Sequence, residues 1–266
     1  MPMELLNHLP RVMHDAVRGQ NFIRNTTGLS GAGVWVSDDL VLKIASDDAV
    51  SRREIKMMDW LQGKLPVPKI VHTAVENGMS YLLMSRLSGV MCCDEQYMRR
   101  PEVLIRLLAD GLRHLWQVDV KACPCRFGLD ERLMLAEENV RLGRCETELV
   151  EPDTYGEGGF RDPEHLLRWL KDHRPAVDPV LSHGDFCLPN LFLQEDQVSG
   201  YLDLGFCAVA DRYQDIALCY RSLVHNADGT YGPVYPNVQP DGLFAALNMT
   251  PDWEKIRYYR LLDELF

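Results

Sequence analysis

The stretch that most restricts this chain is residues 181–211, LSHGDFCLPNLFLQEDQVSGYLDLGFCAVAD, where His183, Asp185, Asn190 and Asp203 stand among short apolar runs. VLSHGD ends an apolar segment at a Gly-Asp turn, and LPNLFL enters a strand directly after Asn190. SGYLDLGF forms a second strand, which carries Asp203 and turns at Gly205. Side chains alternate across a strand, so apolar runs fix the directions of the polar residues between them. A hairpin of these two strands brings Asn190 and Asp203 close together. Adjacent hard oxygen donors suit Mg²⁺, which also takes phosphate oxygens and water. Asp185 stands five residues before Asn190 and is left for another task. Phosphoryl transfer needs such a group, to orient the attacking hydroxyl and accept its proton. A single acid in a turn is ordinarily a turn former and nothing more. Four polar residues in this order and spacing favour chemistry.

Upstream, residues 4–18 predict a helix ending at a turn on Gly19, followed by NTTGLSGAGVWVSDDLVLKIAS, two short β-rich runs around a glycine-rich bend. Backbone N–H groups through Gly28, Ser30, Gly31 and Gly33 can approach phosphates without side-chain obstruction. The spacing is neither that of a Walker loop nor G-x-G-x-x-G, and an ordinary glycine-rich hairpin explains it as well. Lys43 adds to it: the residue sits in the apolar strand V-L-K-I, where a lysine is costly to bury without a partner. Glu54 follows in SRREIKMMDWLQG, whose Ile55, Met58 and Leu61 recur at helical spacing. A strand lysine paired with a helix glutamate can hold the α- and β-phosphates of ATP. The plainer alternative has Lys43 snorkelling at a sheet edge and Glu54 on a solvated helix face.

The next segment, KLPVPKIVHTAVENGMSYLLMSRLSGVM, predicts a Pro-stiffened loop, a strand over 70–75, a turn at Asn77-Gly78, a strand over 81–84 and a linker over 85–90. Residues 102–118 carry a broad apolar helical face through Leu104, Leu107, Leu108, Leu112 and Leu115, which is core. A further helix follows over 132–142, and then an acidic, glycine-bearing loop with no apolar period. In the helix DRYQDIALCYRSL, Asp211 and Asp215 hold the loop and the helix start. The chain ends in an amphipathic helix, DWEKIRYYRLLDELF.

Charge is unevenly spread: residues 1–91 carry 10 Lys and Arg against 9 Asp and Glu, and residues 92–266 carry 18 against 30. The acidity therefore belongs to the C-terminal part. Such a field repels nucleic acid and anionic membrane and attracts a polycation, although it also serves solubility. No apolar run approaches the ~20 residues that span a membrane, and the first residues lack a secretory apolar core, so the expectation is a cytoplasmic protein. Eight cysteines without framework spacing or paired CxxC motifs predict reduced thiols and no zinc site.

The pattern H-G-D-x-x-x-x-N followed by D-L-G resembles the catalytic and metal-binding loops of the protein-kinase-like superfamily. More narrowly, HGDFCLPN, DLG and ADRYQDIALCYRSL resemble the aminoglycoside 3′-phosphotransferases. WLQGKLPVP, LLMS and DELF extend the likeness over nearly the whole chain. The resemblance implies an α+β, bilobal kinase-like fold with a nucleotide-binding N-lobe over 1–85, a hinge over 86–91 and a catalytic, substrate-binding C-lobe over 92–266. It implies Asp185 as the catalytic group and Asn190 and Asp203 as Mg²⁺ ligands. The nucleotide, ATP or alternatively GTP, falls to Ser30, Lys43 and Glu54 at its phosphates and to backbone atoms of Ser85 and Leu87 at its base. Asp153, Glu157, Asp263, Glu264 and the terminal carboxylate of Phe266 fall on the amines of an aminoglycoside. Two positions depart from the family: Phe206 replaces the usual arginine, and Val41 stands where an aromatic ring often covers adenine. The other readings are a kinase of choline, a sugar or another small hydroxyl metabolite, and a nucleotide-binding module without activity. The acidic loop and tail argue against a neutral acceptor.

Overall fold

Along the strand Leu40–Ser46 successive side chains point to opposite faces of its sheet. Leu42 is fully buried in a cluster with Met13, Val17, Phe22, Tyr81 and Leu83, and Leu40 and Ile44 pack against the same cluster. Lys43 is thereby turned to the other face, toward the helix Ala49–Leu61. The computed structural model describes residues 9–25, 32–145 and 150–266. They fall into two compact units: Met1–Val90 with Leu191–Phe206, and Met91–Asn190 with Cys207–Phe266.

In the first unit, antiparallel strands run in the order Ile23–Asn25, Gly33–Val36, Leu40–Ser46, Met79–Ser85, Ile70–Glu76. Lys43 lies mid-sheet, opposite Val34 on one side and Leu82 on the other. The Asn77-Gly78 turn has positive φ at both residues, 52° and 75°, as the tightest hairpin connection requires. Asp48 opens the helix Ala49–Leu61 with a reciprocal capping box to Ser51, and Glu54, Met57, Met58 and Leu61 form its buried face. Of the helix expected over 4–18, the described part is a 3₁₀ turn, Arg11–Met13, and a short helix, His14–Val17. Gly28, Ser30 and Gly31 lie outside the described residues.

Residues 191–206, expected with the C-lobe, group instead with the first ninety residues. The cause is local packing by their hairpin, Leu191–Gln194 with Gln197–Tyr201. Tyr201 N–H donates to Pro66 O at 2.9 Å, Ser199 Oγ donates to Ser88 O at 2.8 Å, and Gly200 fits against Leu87 where any Cβ would collide.

The second unit is helical. Pro101–Gln117 buries Leu104, Leu107, Leu108, Leu112 and Leu115 as its spacing predicts. Leu129–Leu142, Pro163–Asp172, Arg212–Asp228 and Trp253–Asp263 follow, with the C-terminal helix closing at Glu264 rather than running to the last residue. A short antiparallel ladder pairs Pro179–Ser182 with Ala208–Asp211 and delivers the chain into the turn that carries Asp185. Among the described residues no helix is long and apolar enough to cross a membrane.

Candidate active site

In the first unit, Lys43 Nζ donates to Glu54 at 2.9 Å and to Asp203 Oδ1 at 2.9 Å. Burial alone would pull the ammonium down, yet the Glu54 and Asp203 carboxylates together hold it above its ordinary value. It is a fixed cation at physiological pH. Asp203 has φ 59°, a left-handed conformation that a non-glycine residue adopts at a cost of order 1–3 kcal/mol. Its side chain remains 42% exposed while one oxygen pairs with Lys43. Arg53 Nη1 donates to Gly205 O at 2.9 Å and secures the turn that follows. Ser85 commits its N–H to Lys69 O, and the Leu87 side chain is taken up against Gly200.

The second unit presents Asp185 on a turn held from beneath. The buried Asp215 carboxylate accepts from Ser182 Oγ at 3.0 Å, from His183 N–H at 2.8 Å and from Gly184 N–H at 2.8 Å. Burial pushes the Asp215 carboxyl up, against the pull of His183 and these donors. Leu188 N–H is anchored on Ser222 Oγ at 3.0 Å. Asn190 Nδ2 donates to both Asp185 O and Asp185 Oδ2 at 2.9 Å, and the Cys187 thiol donates to Oδ1 at 3.1 Å. Burial raises that thiol far above its ordinary value, so it keeps its proton and stays a donor. With its nitrogen committed to Asp185, Asn190 has its amide oxygen for a cation. Amide and carboxylate oxygens are hard donors of the kind that Mg²⁺ takes.

The same unit holds a cavity of about 710 Å³ whose wall includes the acids Glu151, Asp228, Asp263 and Glu264. Arg221 pairs with Asp263 at 2.5 Å and stands 4.0 Å from Glu264. Glu151 faces His225 at 3.2 Å and Arg260 at 3.3 Å, and its N–H donates to Glu264 Oε1 at 3.3 Å. Burial, aided by Asp263 and Glu151, pushes the Glu264 carboxyl up to about 7, although the Glu151 N–H and Arg221 favour its ionised form. Phe266 lines this cavity. Asp153 lines a smaller neighbour of about 180 Å³, and Glu157 is exposed and lines neither. Glu151 and Arg221 escaped the sequence reading. Their signals are weak: one acid among many in a loop without period, and a lone arginine in the apolar run of DIALCYRSL.

A buried strand lysine paired to a helix glutamate, and a clamped aspartate followed by Asn190, define a phosphotransferase of protein-kinase-like fold. The chain belongs to the phosphotransferase enzyme family known as APH, whose model matches residues 21–259. An aminoglycoside 3′-phosphotransferase of Enterococcus faecalis is 37% identical over 257 residues, covering 92% of this chain and 93% of that protein. A crystal structure of aminoglycoside-3′-phosphotransferase of type VIII superposes with a TM-score of 0.79 at 28% identity, covering 96% of this chain and 97% of the other. The aminoglycoside phosphotransferase APH(3″)-Id of Streptomyces rimosus, solved with ADP and streptomycin, gives a TM-score of 0.75 at 25% identity and covers 92% of each chain.

Proposed function

We propose that this chain transfers the γ-phosphoryl group of ATP to the 3′-hydroxyl of an aminoglycoside, giving resistance to that antibiotic. The observation that carries the reading is that the unit presenting Asp185 also holds the cavity walled by Glu151, Asp228, Asp263 and Glu264. Its size and sign suit a polyammonium sugar and not a neutral one. Phosphoryl transfer has a loose transition state, so orientation of the attacking hydroxyl carries much of the rate. Asp185, with a donor on each carboxylate oxygen, is fitted to orient that hydroxyl and take its proton. Lys43 supplies a fixed positive charge for nucleotide phosphates, with Glu54 holding it in place and Ser30 contributing a backbone N–H. Ser85 and Leu87 take the base of ATP or, alternatively, GTP. Asn190 and Asp203 would hold Mg²⁺, whose contribution when bound is to neutralise charge on the phosphates. Asp263, Glu264 and the carboxylate of Phe266 receive substrate amines, with Glu151 beside them and Asp153 and Glu157 at the outer margin.

The test is substrate-dependent ATP turnover over a panel of aminoglycosides, choline and simple sugars, with the phosphorylated position assigned by NMR. Turnover confined to choline or a sugar would move the acceptor, and none at all would leave a binding module. Asp185→Asn is expected to lower kcat on the order of 10²-fold or more while ATP still binds. An Asp185→Asn variant within about threefold of the unaltered enzyme would remove Asp185 from the chemistry.

A further inference from the structure

Arg132 lies on the helix Leu129–Leu142, only 2% exposed, and its Nη2 donates to Gly184 O at 2.9 Å. A buried guanidinium is costly unless its N–H groups and charge are used. Gly184 stands directly before Asp185 and has φ 82°. Arg132 therefore grips the carbonyl of the peptide that leads into Asp185, while Asp215 grips the N–H groups of the same turn. The guanidinium also lies over the ring of Phe266, 5.8 Å from its centroid, and over that of Phe127 at 5.1 Å. Such cation–π contacts strengthen when desolvated. Two helical turns further on, Asn139 Nδ2 donates to Leu265 O at 2.9 Å. Residues seven apart share a helix face, so one face holds both the catalytic turn and the last two residues of the chain.

We propose that Arg132 is a positioning residue that ties Phe266, in the wall of the acid-lined cavity, to the turn presenting Asp185. The inference rests on the reading of Asp185 as the group that acts on the acceptor hydroxyl. Arg132 acts through the Gly184 peptide and touches no reacting atom itself. A shift in the cavity wall is passed through the guanidinium to the direction of Asp185, and misplacement by about 1 Å can cost on the order of 10²-fold in rate.

The experiment measures kcat, KM for ATP and for an aminoglycoside, and thermal melting for Arg132→Met, Arg132→Lys, Phe266→Leu and the double variant that combines Arg132→Met with Phe266→Leu. Arg132→Met should lower kcat roughly tenfold or more and leave KM for ATP within about twofold. Arg132→Lys keeps a donor for Gly184 O but loses the planar face, and should recover part of that loss. Phe266→Leu keeps the terminal carboxylate. It should lower kcat when Arg132 is intact and lower it no further once Arg132→Met has removed the guanidinium, because the two losses share one path. A residue that only stabilises the fold would lower the melting temperature, leave kcat of the folded enzyme unchanged, and give additive effects. A folded Arg132→Met enzyme with kcat within about twofold, or an additive cycle, overturns the proposal. Should Arg132→Met fail to fold, the cycle is run with Arg132→Lys and decided on the same criterion. Asp185→Asn assayed alongside separates the failures: if it stays active the reading of Asp185 falls, and if it is inactive while Arg132→Met is normal only the present inference falls.

Discussion

Glu264 is a carboxyl held near neutrality by burial, with a folded value of about 7 against an ordinary 4.5. Below the ordinary value both folded and unfolded chains carry the proton, and it makes no difference to stability. Between the two values the folded chain binds more protons than the unfolded one, so stability falls as pH rises. Above pH 7 the full cost remains, at most about 3 kcal/mol by the size of the shift. Glu264→Gln should therefore flatten the decline in melting temperature between about pH 5 and pH 8. Equal slopes in the two proteins would show that Glu264 ionises freely. Lys43 is the opposite case, a cation stabilised by Glu54 and Asp203. It would meet phosphates already present in the ground state, so Lys43→Ala should raise KM for ATP with a smaller fall in kcat. A variant that loses kcat at unchanged KM for ATP would show that Lys43 acts mainly in the transition state.

At the scale of elements, the turn that carries Asp185 depends on a residue outside it. Asp215, near the start of the helix Arg212–Asp228, satisfies Ser182 Oγ and the N–H groups of His183 and Gly184. Its removal takes this shared acceptor from Ser182 Oγ and His183 N–H, while Gly184 N–H keeps Ser182 Oγ at 3.1 Å, and a buried donor left unsatisfied costs roughly 1–3 kcal/mol before relaxation. Asp215→Ala should lower unfolding free energy by about 2 kcal/mol or more, read as a drop in the urea midpoint at unchanged slope. A loss under about 1 kcal/mol would mean the turn holds itself. Much at this scale was legible in the sequence because the signals are local. The Asn77-Gly78 turn, the hairpin after Asn190 and the helix face through Leu104 and Leu112 depend on residues a few positions apart. The pairing of Lys43 with Glu54 was legible too, because a lysine in an apolar strand demands a partner. Glu151, Arg221 and Arg132 were not. Each takes its meaning from residues far along the chain, Glu264, Asp263 and Gly184, and no local period marks them. The hairpin's association with the first unit was hidden for the same reason, since Pro66 and Leu87 are what it packs on.

For the whole molecule, the uneven charge bears on how a polycation is caught. The excess acidity lies in residues 92–266, 30 Asp and Glu against 18 Lys and Arg. Inside the cavity much of that charge is answered: Arg221 pairs with Asp263, and Arg260 faces Glu151. Those half-buried pairs are screened weakly by salt, whereas exposed acids such as Asp153 and Glu157 are screened strongly. Long-range attraction should come from the exposed acids and short-range fit from the cavity. Raising ionic strength from about 0.01 M to about 0.15 M contracts the screening length from ~30 Å to ~8 Å. That removes the distant contribution and spares the contacts. KM for an aminoglycoside should therefore rise more steeply with salt than KM for ATP, whose phosphates would, on the proposed reading, meet the fixed cation at Lys43. Asp153→Asn with Glu157→Gln should reduce the salt slope for the aminoglycoside while leaving KM at high salt close to that of the unaltered enzyme. A salt-independent KM for the aminoglycoside would place recognition entirely in the cavity, and a salt-independent KM with a preferred neutral acceptor would replace the aminoglycoside as substrate.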